Sequence, residues 1–287
     1  MNSAMLQRFD LAGKTVVITG GGGALCGAMA DALGTMGVKV AVLDISREKA
    51  EVRAQAITRS GGTALALGCD VLDADQLRKC RDSIAAAWGP PGLLINGAGG
   101  NDPRGSTSVE FEEPAKQAAA AQSFFDLDPA GFRQVFDLNF MGTFLATQIF
   151  SRGMVAGRKG SIVNVSSMSA FMPLTKVAAY SAAKAAVSNF TQWLAVHFSQ
   201  NYSPKIRVNA IAPGFFLTEQ NRFLLTEKET GNLTARGKSI IEHTPMNRFG
   251  DPVDLVGAVL WLLSPASQFV HGAVISIDGG FSAFSGV

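Results

Sequence analysis

"VVITGGGGALCGAMA", residues 16–30, carries a β-branched stretch to Thr19, turns through four glycines and restarts in small residues at helical spacing. A strand that feeds a glycine turn opening a helix presents unpaired backbone N–H groups and the positive end of the helix dipole to an anion. Glycine suits such a turn because a β-carbon would block close backbone approach or forbid positive φ. The stretch reads as a phosphate seat and as the first strand–helix step of an α/β fold.

The same step recurs along the 287-residue chain. "KTVVIT" (14–19), "VKVAVL" (38–43), "TALALG" (63–68), "GLLIN" (92–96), "GSIVNVS" (160–166), "KIRVNAI" (205–211) and "AVISI" (273–277) read as strands. Their apolar runs are nearly continuous, so both faces are expected to be buried. Amphipathic helical stretches lie between them, at roughly 24–36, 46–60, 73–88, 129–157, 177–200 and 251–264. This alternation predicts a seven-stranded parallel sheet with helices on both faces. No repeat, low-complexity segment or linker divides the chain, so one domain is expected over 1–287. Two excursions, 97–128 and 213–250, follow the carboxyl ends of the fourth and sixth strands, where ligands bind in open α/β sheets.

Composition narrows the partners. Lys plus Arg (25) nearly balances Asp plus Glu (23), and the basic residues are scattered. Neither a nucleic-acid nor a membrane footprint results, which leaves a small molecule. Cys26, Cys69 and Cys80 form no CxxC pair, as expected of a reduced, cytoplasmic protein. No run reaches the roughly 18 apolar residues of a membrane span, and "MNSAMLQRF" lacks the basic start and apolar core of a signal peptide. His197, His243 and His271 have no metal-ligand spacing, and neither HExxH nor GxSxG occurs, so no metal is expected.

The second strand ends in "VLDIS", with Asp44 placed 24 residues after Gly20. That is near the spacing at which a carboxylate accepts hydrogen bonds from the adenosine ribose of a dinucleotide. The alternative is that Asp44 caps the helix starting near Ser46. Since Ile45 rather than a basic residue follows, NAD is favoured over NADP.

"AAYSAAKAAVSNF" sets Tyr180 and Lys184 four apart in a helical pattern, on one face. A free phenol has a pKa of about 10, so an ammonium nearby is expected to favour phenolate and fit the group for acid–base work. Thirteen residues upstream, Ser167 in "VNVSSMS" ends a strand, where its hydroxyl could hold a substrate oxygen.

With "TGGGG" (19–23), "CDV" (69–71), "NGAG" (96–99), Asn139 in "DLNFMG", Ser167, "YSAAK" (180–184) and "APGFFLT" (212–218), the chain resembles the short-chain dehydrogenase/reductase family over essentially its whole length. The resemblance implies a Rossmann-type, doubly wound sheet and a metal-free Ser–Tyr–Lys–Asn mechanism. Tyr180 would exchange the proton with the substrate oxygen, and Ser167 would orient that oxygen. Lys184 would bind the nicotinamide ribose, and Asn139 would hold a water linking Lys184 to solvent. Gly20, Gly22, Gly23, Ala24 and Leu25 would line the pyrophosphate turn, Asp70 with Val71 the adenine, and Asn96, Gly97 and Ala98 the adenosine side. Phe216 and Thr218, with Pro213 and Gly214, would meet the nicotinamide carboxamide end. The family pattern TGxxxGxG has glycines where this chain has Ala24 and Cys26, which are expected to set the loop slightly farther from the phosphates. The helix containing "AAVSNFTQWLAVHF" (185–198) is apolar nearly all round and is expected to be buried on two sides; the resemblance implies that it pairs with its twin in a homodimer or homotetramer.

The tail "GGFSAFSGV" (279–287), the segment 213–238 and the glycine turn further resemble the subgroup that interconverts D-fructuronate and D-mannonate. Another gluconate, polyol or 3-oxoacyl reductase of the family is the alternative, and a catalytically silent nucleotide sensor is one from a different class. A sugar acid needs a cation for its carboxylate and hydrogen-bonding groups for its hydroxyls. Asn101, Arg104, Ser169, Asn221 and Arg222 are the candidates.

Overall fold

The structure, a computed structural model, describes residues 3–108, 110, 122–218 and 221–286. Seven strands, β1 (Thr15–Thr19), β2 (Lys39–Asp44), β3 (Thr63–Gly68), β4 (Leu93–Asn96), β5 (Gly160–Val165), β6 (Ile206–Pro213) and β7 (Val274–Ile277), form one sheet in the order β3-β2-β1-β4-β5-β6-β7. Every pairing is parallel. The helices are α1 (Ser3–Leu6), α2 (Ala24–Thr35), α3 (Arg47–Arg59), α4 (Ala74–Trp88), α5 (Pro129–Phe136), α6 (Gly142–Ala156), α7 (Ala178–Asn201), α8 (Arg222–Leu225), α9 (Ala235–Glu242) and α10 (Val256–Leu263).

The apolar runs are buried on both faces because successive strand residues point to opposite sides. Val16 and Ile18 of β1 join a core with Met29, Leu33, Val259 and Leu262, contributed by α2 and α10. Val17, between them, joins a second core with Leu77, Ile84, Ile149 and Phe198, contributed by α4, α6 and α7. β1 pairs with β2 on one side and β4 on the other, so the chain winds outward in both directions from this point. The carboxyl ends of β1 and β4 open a crevice there, the ligand position of doubly wound sheets.

The sequence pattern and the structure part company in four places. The single helix expected over 129–157 is α5 and α6 with a π-helical turn, Asp137–Met141, between them. Asn139 sits in that turn; its Nδ2 donates to Val135 O at 2.8 Å and Gly100 O at 2.7 Å, tying the widened turn to the chain beyond β4. The stretch read as one helix over 251–264 is a 3₁₀ turn, Pro252–Leu255, opened by a capping box between Asp251 and Asp254, followed by α10. The excursion after β6 holds two short helices, α8 and α9, that no periodicity announced. Finally, α7 buries one face only: Trp193 is 56% and Val196 57% exposed, because the fold supplies nothing to cover its outer side. Residues 109, 111–121 and 219–220 of the two excursions lie outside the described residues. Among those described, no helix is long and apolar enough to cross a membrane.

Candidate active site

The glycine turn sits at the carboxyl end of β1. Gly20 has φ +67°, and a β-carbon on it would lie 2.9 Å from Ala98 Cα, so both conformation and space demand glycine. Gly22 is equally constrained: a β-carbon would stand 2.7 Å from Lys49 Cβ and 2.9 Å from Asp44 Oδ2. Gly23 is the N-cap of α2 and brings no side chain to bond the first-turn N–H groups, which suits them to a phosphate. The departures from the glycine pattern are absorbed locally. Ala24 is exposed at the first position of α2. Cys26 points inward, where its Sγ rests on Gly97 so closely that any β-carbon at 97 would collide with it. Burial pushes the Cys26 thiol up to about 12, the nearby Lys184 opposing, so it is a packing group rather than a nucleophile.

Asp44 accepts from Gly22 N at 3.1 Å through Oδ2 and from Ser46 N at 3.0 Å through Oδ1. Ser46, not Asp44, caps α3 by accepting from Lys49 N at 3.3 Å. The Asp44 carboxylate therefore stands beside the turn with lone pairs remaining for ribose hydroxyls. Ile45 next to it is exposed. Asp70 fixes its own loop by accepting from Leu72 N at 2.9 Å, and Val71 packs over Gly142. Thr19, which the sequence reading did not single out, closes the crevice by accepting from Gly97 N at 3.0 Å and Ala98 N at 3.2 Å. Its place between a strand and the first glycine is the signal that could have found it.

Asn96 corrects an expectation. It is fully buried, and its amide donates to Thr147 Oγ1 and Asn164 Oδ1, each at 2.8 Å. The side chain stitches β4 to β5 and α6 instead of lining the adenosine side. Phe216 is largely buried, its ring packed on Gly250, and it borders the cavity that Phe215, Ile277 and Asp278 also line. Thr218 lies half-buried where the chain emerges beyond Pro213 and Gly214, with Gly214 N held by Ile277 O at 2.9 Å.

The polar cluster gathers between β5, α7 and the π-turn. Of the serine pair, Ser166 is structural, donating to Lys184 O at 3.0 Å and bonding Ser188 Oγ at 2.7 Å. Ser167 follows β5, nearly buried, and its Oγ accepts from Ser169 N at 3.2 Å. Burial raises the Tyr180 pKa, and the Ser167 hydroxyl partly offsets that. Lys184, one helical turn on, is 3% exposed; its Nζ donates to Val165 O at 2.8 Å and lies 5.6 Å from the centroid of the Tyr180 ring. Burial lowers Lys184 to about 8. A β-carbon on Gly99 would lie 2.5 Å from Asn139 Oδ1 and 3.4 Å from Lys184 Nζ, so the amide oxygen and the ammonium converge on the same point. Asn139 Oδ1 is buried with no partner among the described residues, and so is the Ser169 hydroxyl two residues beyond Ser167. Both can bond a ligand group or an ordered water.

The family model described as short chain dehydrogenase matches residues 14–229. The chain belongs to that family. This dehydrogenase is 51% identical over 279 residues to the uncharacterized oxidoreductase UxuB of Bacillus subtilis (strain 168), covering 97% of this chain and 98% of that one. It is 29% identical over 276 residues to 5-keto-D-gluconate 5-reductase of Escherichia coli (strain K12), covering 96% and 98%. Its structure superposes with TM-score 0.92, at 45% identity and full coverage of both chains, on a Haemophilus influenza protein provisionally named a D-mannonate oxidoreductase, crystallised with NAD.

The dehydrogenase's excursions treat the remaining sequence candidates unevenly. Asn221 spends its amide on the loop itself, accepting from Thr218 N at 2.8 Å and donating to Phe216 O at 2.7 Å. Arg104 donates to Asp102 Oδ2 at 2.7 Å and Gln134 Oε1 at 2.6 Å, so its guanidinium is engaged by its neighbours at the surface. Asn101 donates to Ser106 Oγ at 3.0 Å, and Arg222 begins the short α8 with its side chain exposed. Arg236 of α9 escaped the sequence reading because its partner, Glu110, is distant in sequence and no local pattern marks it.

Proposed function

We propose that the protein is an NAD-dependent oxidoreductase that interconverts a six-carbon keto-uronate and its sugar acid, D-fructuronate and D-mannonate. The observation that carries the chemistry is Lys184 Nζ held 5.6 Å from the centroid of the Tyr180 ring, with the Ser167 hydroxyl acting on the same phenol. The similarity to the Haemophilus protein supports the substrate and the cofactor. The turn Gly20–Ala24 with Leu25 would hold the pyrophosphate, Asp44 the adenosine ribose, Asp70 and Val71 the adenine end, Gly97 and Ala98 the floor, and Pro213, Gly214 and Thr218 the nicotinamide end. NAD, when bound, supplies the hydride acceptor and a positive ring.

The chain's own residues manage the proton. Ser167 holds the substrate oxygen beside the Tyr180 hydroxyl, which takes or returns its proton. Burial works against the Tyr180 phenolate, so it needs a stabilising charge, which the Lys184 ammonium 5.6 Å from the ring would supply. Asn139, through the unpartnered Oδ1, would hold the water that links Lys184 Nζ to solvent. Ser169 offers its buried hydroxyl to a substrate hydroxyl.

A subunit interface belongs to the same reading. The exposed Trp193 and Val196 lie one helical step apart on the outer face of α7, and pairing α7 with its twin would cover them in a homodimer, or two such pairs in a homotetramer. The free thiols Cys26, Cys69 and Cys80 suit a reducing compartment, and we place the enzyme in the cytoplasm. The test is NADH oxidation followed by absorbance with D-fructuronate, 5-keto-D-gluconate, neutral ketoses and a 3-oxoacyl thioester. Fastest turnover is expected with D-fructuronate. Better turnover of a neutral ketose or a thioester would overturn the assignment, and NADH binding without any turnover would make the chain a nucleotide sensor.

A further inference from the structure

A sugar acid brings a carboxylate into the crevice, where it needs a cation. Lys184 Nζ is committed to Val165 O, and Arg104 to Asp102 and Gln134. Arg236 is placed otherwise. It is the second residue of α9, and Thr234 caps that helix by accepting from Gly237 N at 3.1 Å. Gly237 itself packs so tightly on Leu225 O that no β-carbon fits, which fixes the start of α9 against α8.

From there the Arg236 guanidinium reaches across the carboxyl edge of the sheet. It forms an ion pair with Glu110, in the excursion after β4, and approaches Thr175 Oγ1 at 3.5 Å, in the segment leading into α7. Beside them Thr107 N donates to Lys176 O at 3.0 Å. The chain leaving β4, the chain leaving β5 and the chain leaving β6 therefore meet at this one cation. The second of them carries Ser167 and Tyr180. The Arg236 side chain is 25% exposed and that of Glu110 35%, so the pair is mostly withdrawn from water, where a guanidinium without a counter-ion is costly.

We propose that Arg236 anchors the substrate carboxylate and that Glu110 is its counter-ion in the free enzyme, displaced when the substrate enters. The assignment rests on the sugar-acid reading above. A guanidinium accepts a planar carboxylate by two parallel N–H bonds, so one carboxylate can replace another with no change in the geometry of the site. Two carboxylates cannot share it without repulsion, so Glu110 must yield, and its partial exposure lets its charge return to water. Neutral polyols offer nothing to trade for Glu110, so the same pair would exclude them.

The proposal separates from a simpler one, in which the pair only ties the two excursions together, by the sign of two substitutions. The full chain saturated with NADH is titrated with D-mannonate and the cofactor fluorescence is followed, NADH affinity serving as the control for folding. Arg236→Met is expected to weaken D-mannonate binding by on the order of 100-fold. Glu110→Gln, which removes the competing charge, is expected to tighten it severalfold. If the pair is only a tie, both substitutions weaken D-mannonate alike, and the proposal falls. Saturation that survives Arg236→Met also removes the anchor while leaving the sugar-acid reading in place. Absence of saturation in the unsubstituted protein removes both.

Discussion

The cluster at the end of β5 and the two excursions are built on opposite plans. Ser167, Lys184 and Asn139 are buried, just past β5, on α7 and in the π-turn before α6, and each side chain is bonded to backbone. Arg104, Asn101 and Asn221 lie on irregular chain, and their hydrogen bonds are spent within the loop that carries them or on its immediate neighbours. A strand end can position a hydroxyl reproducibly because the sheet has no freedom to move it. A loop must first hold itself together, and only what remains can meet a ligand. The proposed function therefore assigns the reaction chemistry to the sheet edge and the choice of substrate to the excursions.

The largest effect that would sharpen this division is expected at Tyr180. Tyr180→Phe removes the proton donor and little apolar surface, so kcat should fall by about a thousandfold while NADH affinity stays within about twofold. Steady-state rates and a fluorescence titration measure the two. Retention of a tenth of the activity would mean that another group moves the proton.

Next in size is Lys184→Met, expected to lower kcat and cofactor affinity together, by about a hundredfold in kcat/KM, because the ammonium serves both. Burial holds Lys184 near 8, below the value for a free lysine, so its charge is lost as pH rises through about 8. Cofactor affinity should decline over that range in the unsubstituted protein and be flat in the variant. The effect on stability has the opposite sense. The unfolded chain keeps the proton more tightly, so burial of Lys184 costs stability below pH 8, and the cost is relieved as pH rises toward the unfolded value of about 10.4. A titration of NADH affinity from acid to alkaline pH reads the first effect, and the melting temperature reads the second.

A smaller shift is expected at the ribose. Asp44→Ala with Ile45→Arg removes the repulsion of a 2′-phosphate and adds a partner for it, and should move the NADH to NADPH ratio of kcat/KM by about tenfold or more toward NADPH. An unchanged ratio would place ribose reading elsewhere.

The smallest effect is expected in an excursion. Asn221→Ala deletes the bonds to Thr218 N and Phe216 O, together about 2 kcal/mol of loop order, and should raise KM a few-fold with kcat nearly unchanged. A fall in kcat matching that of Tyr180→Phe would erase the distinction between the two regions.

What was legible in the sequence follows the same division. All seven strands, and the order Ser167, Tyr180, Lys184, can be read from it because both depend on local pattern: apolar runs in one case, fixed spacing on one helix face in the other. The π-turn at Asn139 was not legible, since it answers to Gly100, 39 residues away. Cys26 could be seen to depart from a glycine pattern, but whether its thiol turned toward the loop or the core depended on the space over Gly97. Asn96 and Phe216 stand in recognisable motifs, yet their side chains are claimed by Asn164 and Gly250, partners set by tertiary packing. The pairing of Arg236 with Glu110 spans two excursions and left no local trace.

The separation of chemistry from choice is tested most directly by one ratio, kcat/KM for D-fructuronate over kcat/KM for D-fructose, measured in the unsubstituted protein and in Tyr180→Phe at high enzyme concentration. If the sheet edge performs the reaction and the excursions select the acid, both rates drop by about a thousandfold and their ratio stays within about threefold. A ratio that collapses toward one in Tyr180→Phe would show that the phenol itself distinguishes the acid, and would contradict the account.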